Sequence, residues 1–343
     1  MGIIVLSLAI LPMLGVGGMQ LYQAEAPGPS AEKLTPRIRQ TAVLLWSVYL
    51  VLSVAECLLL RVAGMDWYDA VCHTFTTMAT GGFSTRGASI AAYDNALVDW
   101  IIVVFMFLAG TNFALHWRVK GRPWRYFRDP EWRVYAGIMA GLTVLVTFAL
   151  WHGAGRGIGD AFRTGAFQVV SIVTTTGYGT DDYEQWHPAL QWLVFLMMFV
   201  GGCGGSTGGS MKVVRVMVLA KTALRELRTV ANPRVVRALQ LGPGRTLERG
   251  IGRKVLGFFV LYVVLLVAGT LLLTTYGMGI ETALSAAATS LGNVGPGLAD
   301  IGPTDNFGWM PVPAKWILIV LMLLGRLEIY TVLALILPGT WKR

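Results

Sequence analysis

The chain has 343 residues, 55% of them hydrophobic and 14% charged, with a mean hydropathy of +0.59 and a formal net charge of +9. Apolar content at this level, gathered into long uncharged stretches, excludes an ordinary large soluble domain and predicts an all-α integral membrane protein. Cys57, Cys72 and Cys203 stand isolated in or near apolar segments, which fits neither a metal site nor a disulfide framework.

In chain order, the first apolar run covers 3–20 and opens at Met1 without the basic region or small-residue cleavage site of a secretory signal. A connection over 23–40 follows, with Lys33, Arg37 and Arg39. The next run, 41–62, holds Glu56, an intramembrane acid with no evident partner. The segment 68–80 is too short and polar to cross alone and is predicted to be a re-entrant pore helix, ending in the turn Thr80-Gly81-Gly82-Phe83. A span at 97–117, interrupted at Gly110-Thr111-Asn112, leads to a basic connection with Arg118, Lys120, Arg122, Arg125, Arg128 and Arg133.

The same sequence of elements then recurs. A span at 133–152 precedes a predicted pore helix at 159–176 and the turn Thr175-Thr176-Gly177-Tyr178. The span from 188 to 200 breaks at Gly201–Ser210, which holds six glycines. Their helical cost relative to alanine is on the order of 5 kcal/mol, so a non-helical loop is predicted there. No Gly-Lys-Ser/Thr closes the glycines, so this is not a phosphate-binding loop. The longest connection runs from Lys212 to Lys254 and is strongly basic. A last unit follows: a span at 255–275, a pore helix at 281–293, the relaxed turn Asn293-Val294-Gly295-Pro296, and a span at 316–337 containing Gly325-Arg326.

Aligned on Gly82, Gly177 and Gly295, the units share a polar residue two positions earlier (Thr80, Thr175, Asn293) and a hydroxyl six positions earlier (Thr76, Ser171, Thr289). Each pore helix starts near an acid, Asp69, Asp160 or Glu281, the favourable sign for a helix N-terminus. The predicted organisation is an incomplete repeat at 1–22, connections at 23–40, 120–132 and 229–254, and pore units at 41–119, 133–228 and 255–343. Residues 1–20 match only the second span of a unit, which predicts that Met1 is an internal methionine of a longer protein with four units around one pore. Glycine turns at membrane depth are tolerable only where they are buried or line water. Arranged about one axis, they form rings of carbonyl oxygens that replace the hydration shell of a potassium-sized ion. The predicted ion-binding residues are Thr80, Gly81, Gly82, Thr175, Thr176, Gly177, Asn293, Val294 and Gly295.

The basic connections and the terminal Lys342-Arg343 are expected to face the cytoplasm. This topology accounts for the net charge without nucleic-acid binding. The glycine turns then face outward beside Asp94, Asp99, Asp181, Asp182, Glu184, Asp300 and Asp305, acids that would concentrate cations. Arg326 lies mid-span, where a charge must face a cavity or a partner, and a cation below the turns would repel a passing cation. No nucleophile–base set, metal cluster or carboxylate pair converges on one span, so the chain is not read as an enzyme.

These motifs resemble the Trk/Ktr/HKT superfamily of potassium transporters. The resemblance is carried by Met1–Ile4, Leu11–Leu21, Thr80–Thr85, Thr174–Thr180, Gly204–Ser210 running into Lys212-Val213-Val214-Arg215, Gly292–Leu298, and Gly325-Arg326-Leu327-Glu328. The opening segment and the Gly-Arg-Leu-Glu end favour the Trk branch over Ktr. The resemblance implies potassium uptake across a bacterial inner membrane, with the turns as a selectivity filter and potassium as the bound ion. It implies an intramembrane gate at Gly204, Gly205, Ser206, Thr207, Gly208 and Gly209, with Arg326 as the pore arginine. It also implies a homodimer in the lipid bilayer, seated on a cytosolic TrkA-type nucleotide-binding ring, and no organic cofactor. Ser210 departs from the glycine common at that position, and the absent first filter leaves sodium transport and a non-conducting fragment as alternatives.

Overall fold

In the computed structural model, residues 38–119, 121–231, 240–242, 245–246, 250–327 and 329–336 are described. The predicted half-unit at 1–22, with Lys33, Arg37, Lys120, Arg234, Arg237, Arg249, Glu328 and Lys342-Arg343, lies outside them. The first unit comprises α1 (Ile38–Val62), α2 (Trp67–Met78), α3 (Ala96–Ala109) and α4 (Phe113–Val119). The second comprises α5 (Pro130–Gly153), α6 (Ile158–Val173), α7 (Pro188–Met197) and α8 (Val213–Ala231). The third comprises α9 (Ile251–Thr274), α10 (Ile280–Gly292), α11 (Val312–Arg326) and α12 (Ile329–Ile336). The strands β1 (Gln240–Gly242) and β2 (Arg245–Thr246) pair antiparallel between α8 and α9.

Each unit places its first helix on its own short helix: α1 on α2, α5 on α6 and α9 on α10. Among the described residues, three helices are long and apolar enough to cross a membrane, over Gln40–Val62, Pro130–Gly153 and Ile251–Thr274. Their outward faces are apolar and exposed, as at Val51, Val54 and Leu58 on α1, Val144 and Phe148 on α5, and Val264, Val267 and Leu271 on α9. Their inward faces carry buried groups such as Ser53, Glu56, Thr143 and Tyr262. That distribution, apolar outside and polar within, is what a lipid solvent selects.

The short helices show why they do not face lipid. All of α6 from Thr164 to Val173 is buried, and so is α10 from Ser285 to Gly292. Both end in turns whose backbone groups need partners that lipid cannot supply. The span predicted over 97–117 is broken: α3 and α4 meet at a 97° bend. Gly110-Thr111-Asn112 makes the break, and the Asn112 carboxamide caps α4 by accepting the Ala114 N–H at 2.8 Å. The last predicted span also divides, with α11 closing at Arg326 and α12 starting at Ile329.

Acids near the starts of the short helices take more specific roles than the helix-terminus argument assigned them. Asp66, rather than Asp69, caps α2. Asp69 instead ties the returning chain to the helix: the Thr85 hydroxyl donates to it at 2.6 Å and Arg86 pairs with it at 2.9 Å. Asp160 pairs with Arg163 one turn on at 2.8 Å.

Candidate functional site

The three glycine turns follow α2, α6 and α10, and each repeats one backbone pattern. Thr80, Thr175 and Asn293 have φ of 51°, 58° and 54°, and Gly82, Gly177 and Gly295 two residues on have φ of 66°, 85° and 115°. Non-glycine residues with positive φ are uncommon, so a threonine there in two turns signals a conformation imposed by its surroundings. The sequence alignment at these two positions therefore reflects one shared backbone shape.

The hydroxyl six residues before each glycine is what holds that shape. Thr76 Oγ1 donates to the Phe83 carbonyl at 2.8 Å, and Ser171 Oγ donates to the Tyr178 carbonyl at 2.7 Å. In the third turn Thr289 Oγ1 accepts the Gly295 N–H at 2.9 Å. The short helix thus supplies a polar partner to a segment that has left regular structure.

The turns also nest against one another. A Cβ at Gly82 would overlap the Thr176 carbonyl, and one at Gly177 would overlap the Val294 carbonyl. Around Gly295 the described residues leave that direction open. Tyr178 binds the first turn to the second: its hydroxyl lies 2.5 Å from Thr76 Oγ1 and donates to the His73 carbonyl at 3.1 Å. A cavity of roughly 780 Å³ runs along these turns, lined by Thr80, Gly81 and Gly82 of the first, Thr176 and Gly177 of the second, and Asn293, Val294 and Gly295 of the third. It extends from Asp305 and Lys315 at one end to Arg326 at the other. Thr175 is off this wall: it is buried, and its hydroxyl accepts the Gly209 N–H at 2.5 Å.

Gly201–Ser210 is a non-helical loop, closed at its neck where the Gly201 N–H donates to the Met211 carbonyl and the Val213 N–H to the Gly202 carbonyl. It packs into the break between α3 and α4. The Cys203 N–H donates to the Gly110 carbonyl at 2.8 Å, and Thr207 Oγ1 donates to the Ala109 carbonyl at 3.1 Å. Glycines are required where backbones touch: a Cβ at Gly209 would strike the Gly292 carbonyl, and one at Gly325 the Leu291 carbonyl. Arg326 donates to the Thr207 carbonyl at 2.9 Å, so the arginine and the loop meet below the second and third turns. Ser210 donates to the Met198 carbonyl at 2.7 Å.

Two anchors of this loop were not evident from sequence. Lys212 counts in the sequence as one more charge in a basic connection, yet it is buried and its ammonium donates to the Gly208 carbonyl and toward Ser206. Glu131, in the first turn of α5, accepts the Gly204 N–H at 2.6 Å. Glu131 has no spacing signal because its partner lies 73 positions away, and Lys212 none because its carbonyl partner, though four residues before it, is set by the fold of the loop.

The acids after the turns are unequal. Hydrogen bonds from Thr85 above all, with Tyr93 and Arg86, hold the Asp69 carboxyl well below the usual carboxylate range. Asp181 is occupied by Arg156 at 2.7 Å and by the Trp186 indole at 2.8 Å. Glu184 is the opposite case. Burial foremost, then the nearby Asp182, Asp305, Asp300 and Glu281, push its carboxyl up to about 7.

The family model described as "TrkH: Cation transport protein" matches residues 1–338. The Trk system potassium uptake protein TrkH of Escherichia coli K12 is 44% identical over 346 residues, an alignment covering all of this chain and 71% of that protein. The Trk system potassium uptake protein TrkG of the same organism is 35% identical, covering all of this chain and 70% of that one. The crystal structure of the potassium transporter TrkH from Vibrio parahaemolyticus superposes with a TM-score of 0.86 at 39% identity, over 99% of this chain and 70% of that one.

Gly177→Ala is expected to lose stability twice over, through its positive φ and through the Val294 carbonyl. The φ term alone costs about 1–2 kcal/mol. Gly155→Ala is the control, since Gly155 has φ of 64° with open space where a Cβ would sit. Thermal unfolding in detergent should show a larger fall in Tm for Gly177→Ala than for Gly155→Ala. For Glu184 the folded state holds its proton more tightly than the unfolded chain. Its ionisation therefore opposes folding increasingly as pH rises from about 4.5 through about 7. Tm measured from pH 5 to 8 should fall more steeply for the wild type than for Glu184→Gln.

Proposed function

The chain belongs to the TrkH family of cation transport proteins, and we propose that it carries potassium into a bacterial cell through a pathway lined by its glycine turns. The observation that carries this reading is the set of three turns with the same pair of left-handed residues, tied to their short helices by hydroxyls and lining one cavity. Backbone carbonyls held rigidly by such ties replace the water around a potassium ion at little cost in reorganisation. In this reading Thr80, Gly81, Gly82, Thr176, Gly177, Asn293, Val294 and Gly295 form the filter wall. Thr175 acts through its hydroxyl bond to Gly209.

The loop from Gly204 to Gly209 is the gate. It blocks the route below the filter while held by Glu131, Lys212 and Arg326, and conduction needs it to leave those partners. Arg326 adds an electrostatic barrier, since its charge lies at the end of the cavity beneath the turns. The acids beyond the turns, Asp305 and Glu184 among them, attract cations to the opposite end.

The protein sits as a multi-pass component of the inner membrane, with its basic connections toward the cytoplasm. A second copy of the chain and a TrkA-type cytosolic ring complete the assembly, and exposed basic residues of α8 such as Arg225 and Arg228 meet the ring. The relatives are named as potassium uptake proteins, which supports transport rather than enzymatic turnover.

Rubidium uptake in a bacterium lacking its own potassium uptake systems tests this reading. The protein should restore uptake, and Arg326→Ala should raise the flux at least severalfold. Unchanged or lower flux in a well-folded Arg326→Ala protein would remove the barrier role. Absence of rubidium uptake by a correctly inserted wild-type protein would remove the potassium reading itself.

A further inference from the structure

His73 is fully buried in α2, and both of its ring nitrogens are engaged. Nδ1 lies 2.7 Å from the Asp69 carbonyl one helical turn earlier. Nε2 lies 2.9 Å from the hydroxyl of Ser84, on the chain that leaves the first glycine turn. A backbone carbonyl only accepts, so Nδ1 carries the proton. In the neutral ring Nε2 is then an acceptor, and the Ser84 hydroxyl donates to it. The Ser84 oxygen in turn accepts the Arg86 N–H at 3.1 Å, so each donor in the set meets one acceptor. Tyr93 meets the imidazole edge-on at 5.5 Å between centroids, and Tyr178 lies against it at 6.0 Å with its hydroxyl on the His73 carbonyl.

The other units carry a bond of the same kind at nearly the same offset. His73 stands nine residues before Gly82, and Gln168 stands nine before Gly177. Gln168 is buried, and its carboxamide donates to the Asp181 carbonyl beyond the second turn at 3.0 Å. Ser285, ten before Gly295, accepts the Leu298 N–H at 3.1 Å and donates to the Leu298 carbonyl at 3.0 Å. Each short helix thus makes two ties: the hydroxyl already described, and a second one about a helical turn nearer its start. In the first unit they act on successive residues, Thr76 on the Phe83 carbonyl and His73 on Ser84. Phe83 and Ser84 line the cavity together with Gly81 and Gly82.

We propose that His73 is a positioning residue for the filter: through its bond to Ser84 it clamps the outgoing limb of the first turn and so fixes the carbonyls of Gly81 and Gly82. Phe83 is 76% exposed, so its side chain gives that limb little packing of its own. A limb tied only at the Phe83 carbonyl can swing about that point, and the second tie one residue on removes the swing. Discrimination between ions of different size depends on how firmly the carbonyls keep their spacing. The effect on transport rests on the filter reading above; the state of the imidazole and its bond do not.

Two measurements on the full-length protein test the clamp. Magnetic-resonance spectra of histidine labelled at its ring nitrogens should show, at neutral pH, a ring with protonated Nδ1 and a bare, hydrogen-bonded Nε2 that disappears in His73→Gln. A His73 ring protonated on Nε2 would overturn the assignment, whatever the protein transports. In rubidium uptake, His73→Leu should lower discrimination against sodium about fivefold, the scale of one lost hydrogen bond. His73→Gln keeps an acceptor within reach of Ser84 and is the residue the second unit uses at this offset, so it should stay within about twofold of the wild type. Ser84→Ala should reproduce the loss of His73→Leu, and the double variant should lose no more than either alone. Ser84 is only half-buried, so its variant reads the same bond if His73→Leu fails to accumulate in the membrane. Unchanged selectivity in Ser84→Ala, a His73→Gln protein as impaired as His73→Leu, or additive losses would each overturn the clamp. A wild type that takes up no rubidium would remove the filter reading instead, and the spectra would still decide the bond.

Discussion

Every backbone amide and carbonyl within the bilayer needs a partner from within the protein, and among the described residues the three glycine turns are stretches that leave helical structure between apolar spans. The rest of the architecture follows from that demand. Each glycine turn is held by a hydroxyl on the helix that precedes it, by Thr76, Ser171 or Thr289. Each of those helices is in turn covered by a long apolar helix whose outward face carries residues such as Val51, Val144 or Leu271. The polar interior and the lipid-compatible exterior are two sides of one solution. Hydroxyls within satisfy carbonyls, and aliphatic side chains outside meet hydrocarbon.

The break below the turns obeys the same rule with different partners. Gly201–Ser210 cannot satisfy itself as a helix would, so its groups are taken up by segments far away in the chain. Glu131 accepts one N–H, Arg326 and Lys212 donate to carbonyls, and the exposed backbone at Gly110 accepts the Cys203 N–H. Three of these partners carry formal charge, and bonds to charged groups are stronger than neutral ones yet reversible when a competing partner arrives. A loop held this way has its backbone ordered by polar contacts, while its Cys203 packs into the apolar core. That is the physical condition for a segment with two arrangements, and the proposed gate depends on it.

Charges of both signs line the cavity, Asp305 and Lys315 toward one end and Arg326 at the other. The acids do not act alike, because Asp69 and Asp181 are already held by arginine, hydroxyl or indole donors, while Glu184 is crowded by its own kind. Proximity in sequence to a glycine turn is therefore a poor guide to which acid is free to attract an ion. Hydrogen-bond partners decide it.

The amino-acid sequence by itself determined the helical membrane class, the three-fold recurrence of span, short helix, glycine turn and span, and the approximate place of each turn. Those features rest on local physics: apolar run length, glycine content, and side chains recurring at fixed offsets such as Thr76, Ser171 and Thr289. The short-helix bounds fall within a few residues of Trp67–Met78, Ile158–Val173 and Ile280–Gly292 for the same reason. The tertiary structure alone decided that the interruption at Gly110-Thr111-Asn112 bends the chain through 97°, that Lys212 is buried rather than a surface charge, and that Thr175 serves the loop while Thr176 lines the cavity. It also decided that Glu131 meets Gly204 across 73 positions and that Tyr178 reaches back to Thr76 across 102. Each of these depends on which backbone group a distant segment leaves unsatisfied, and a composition or spacing carries no trace of that until the chain has closed on itself.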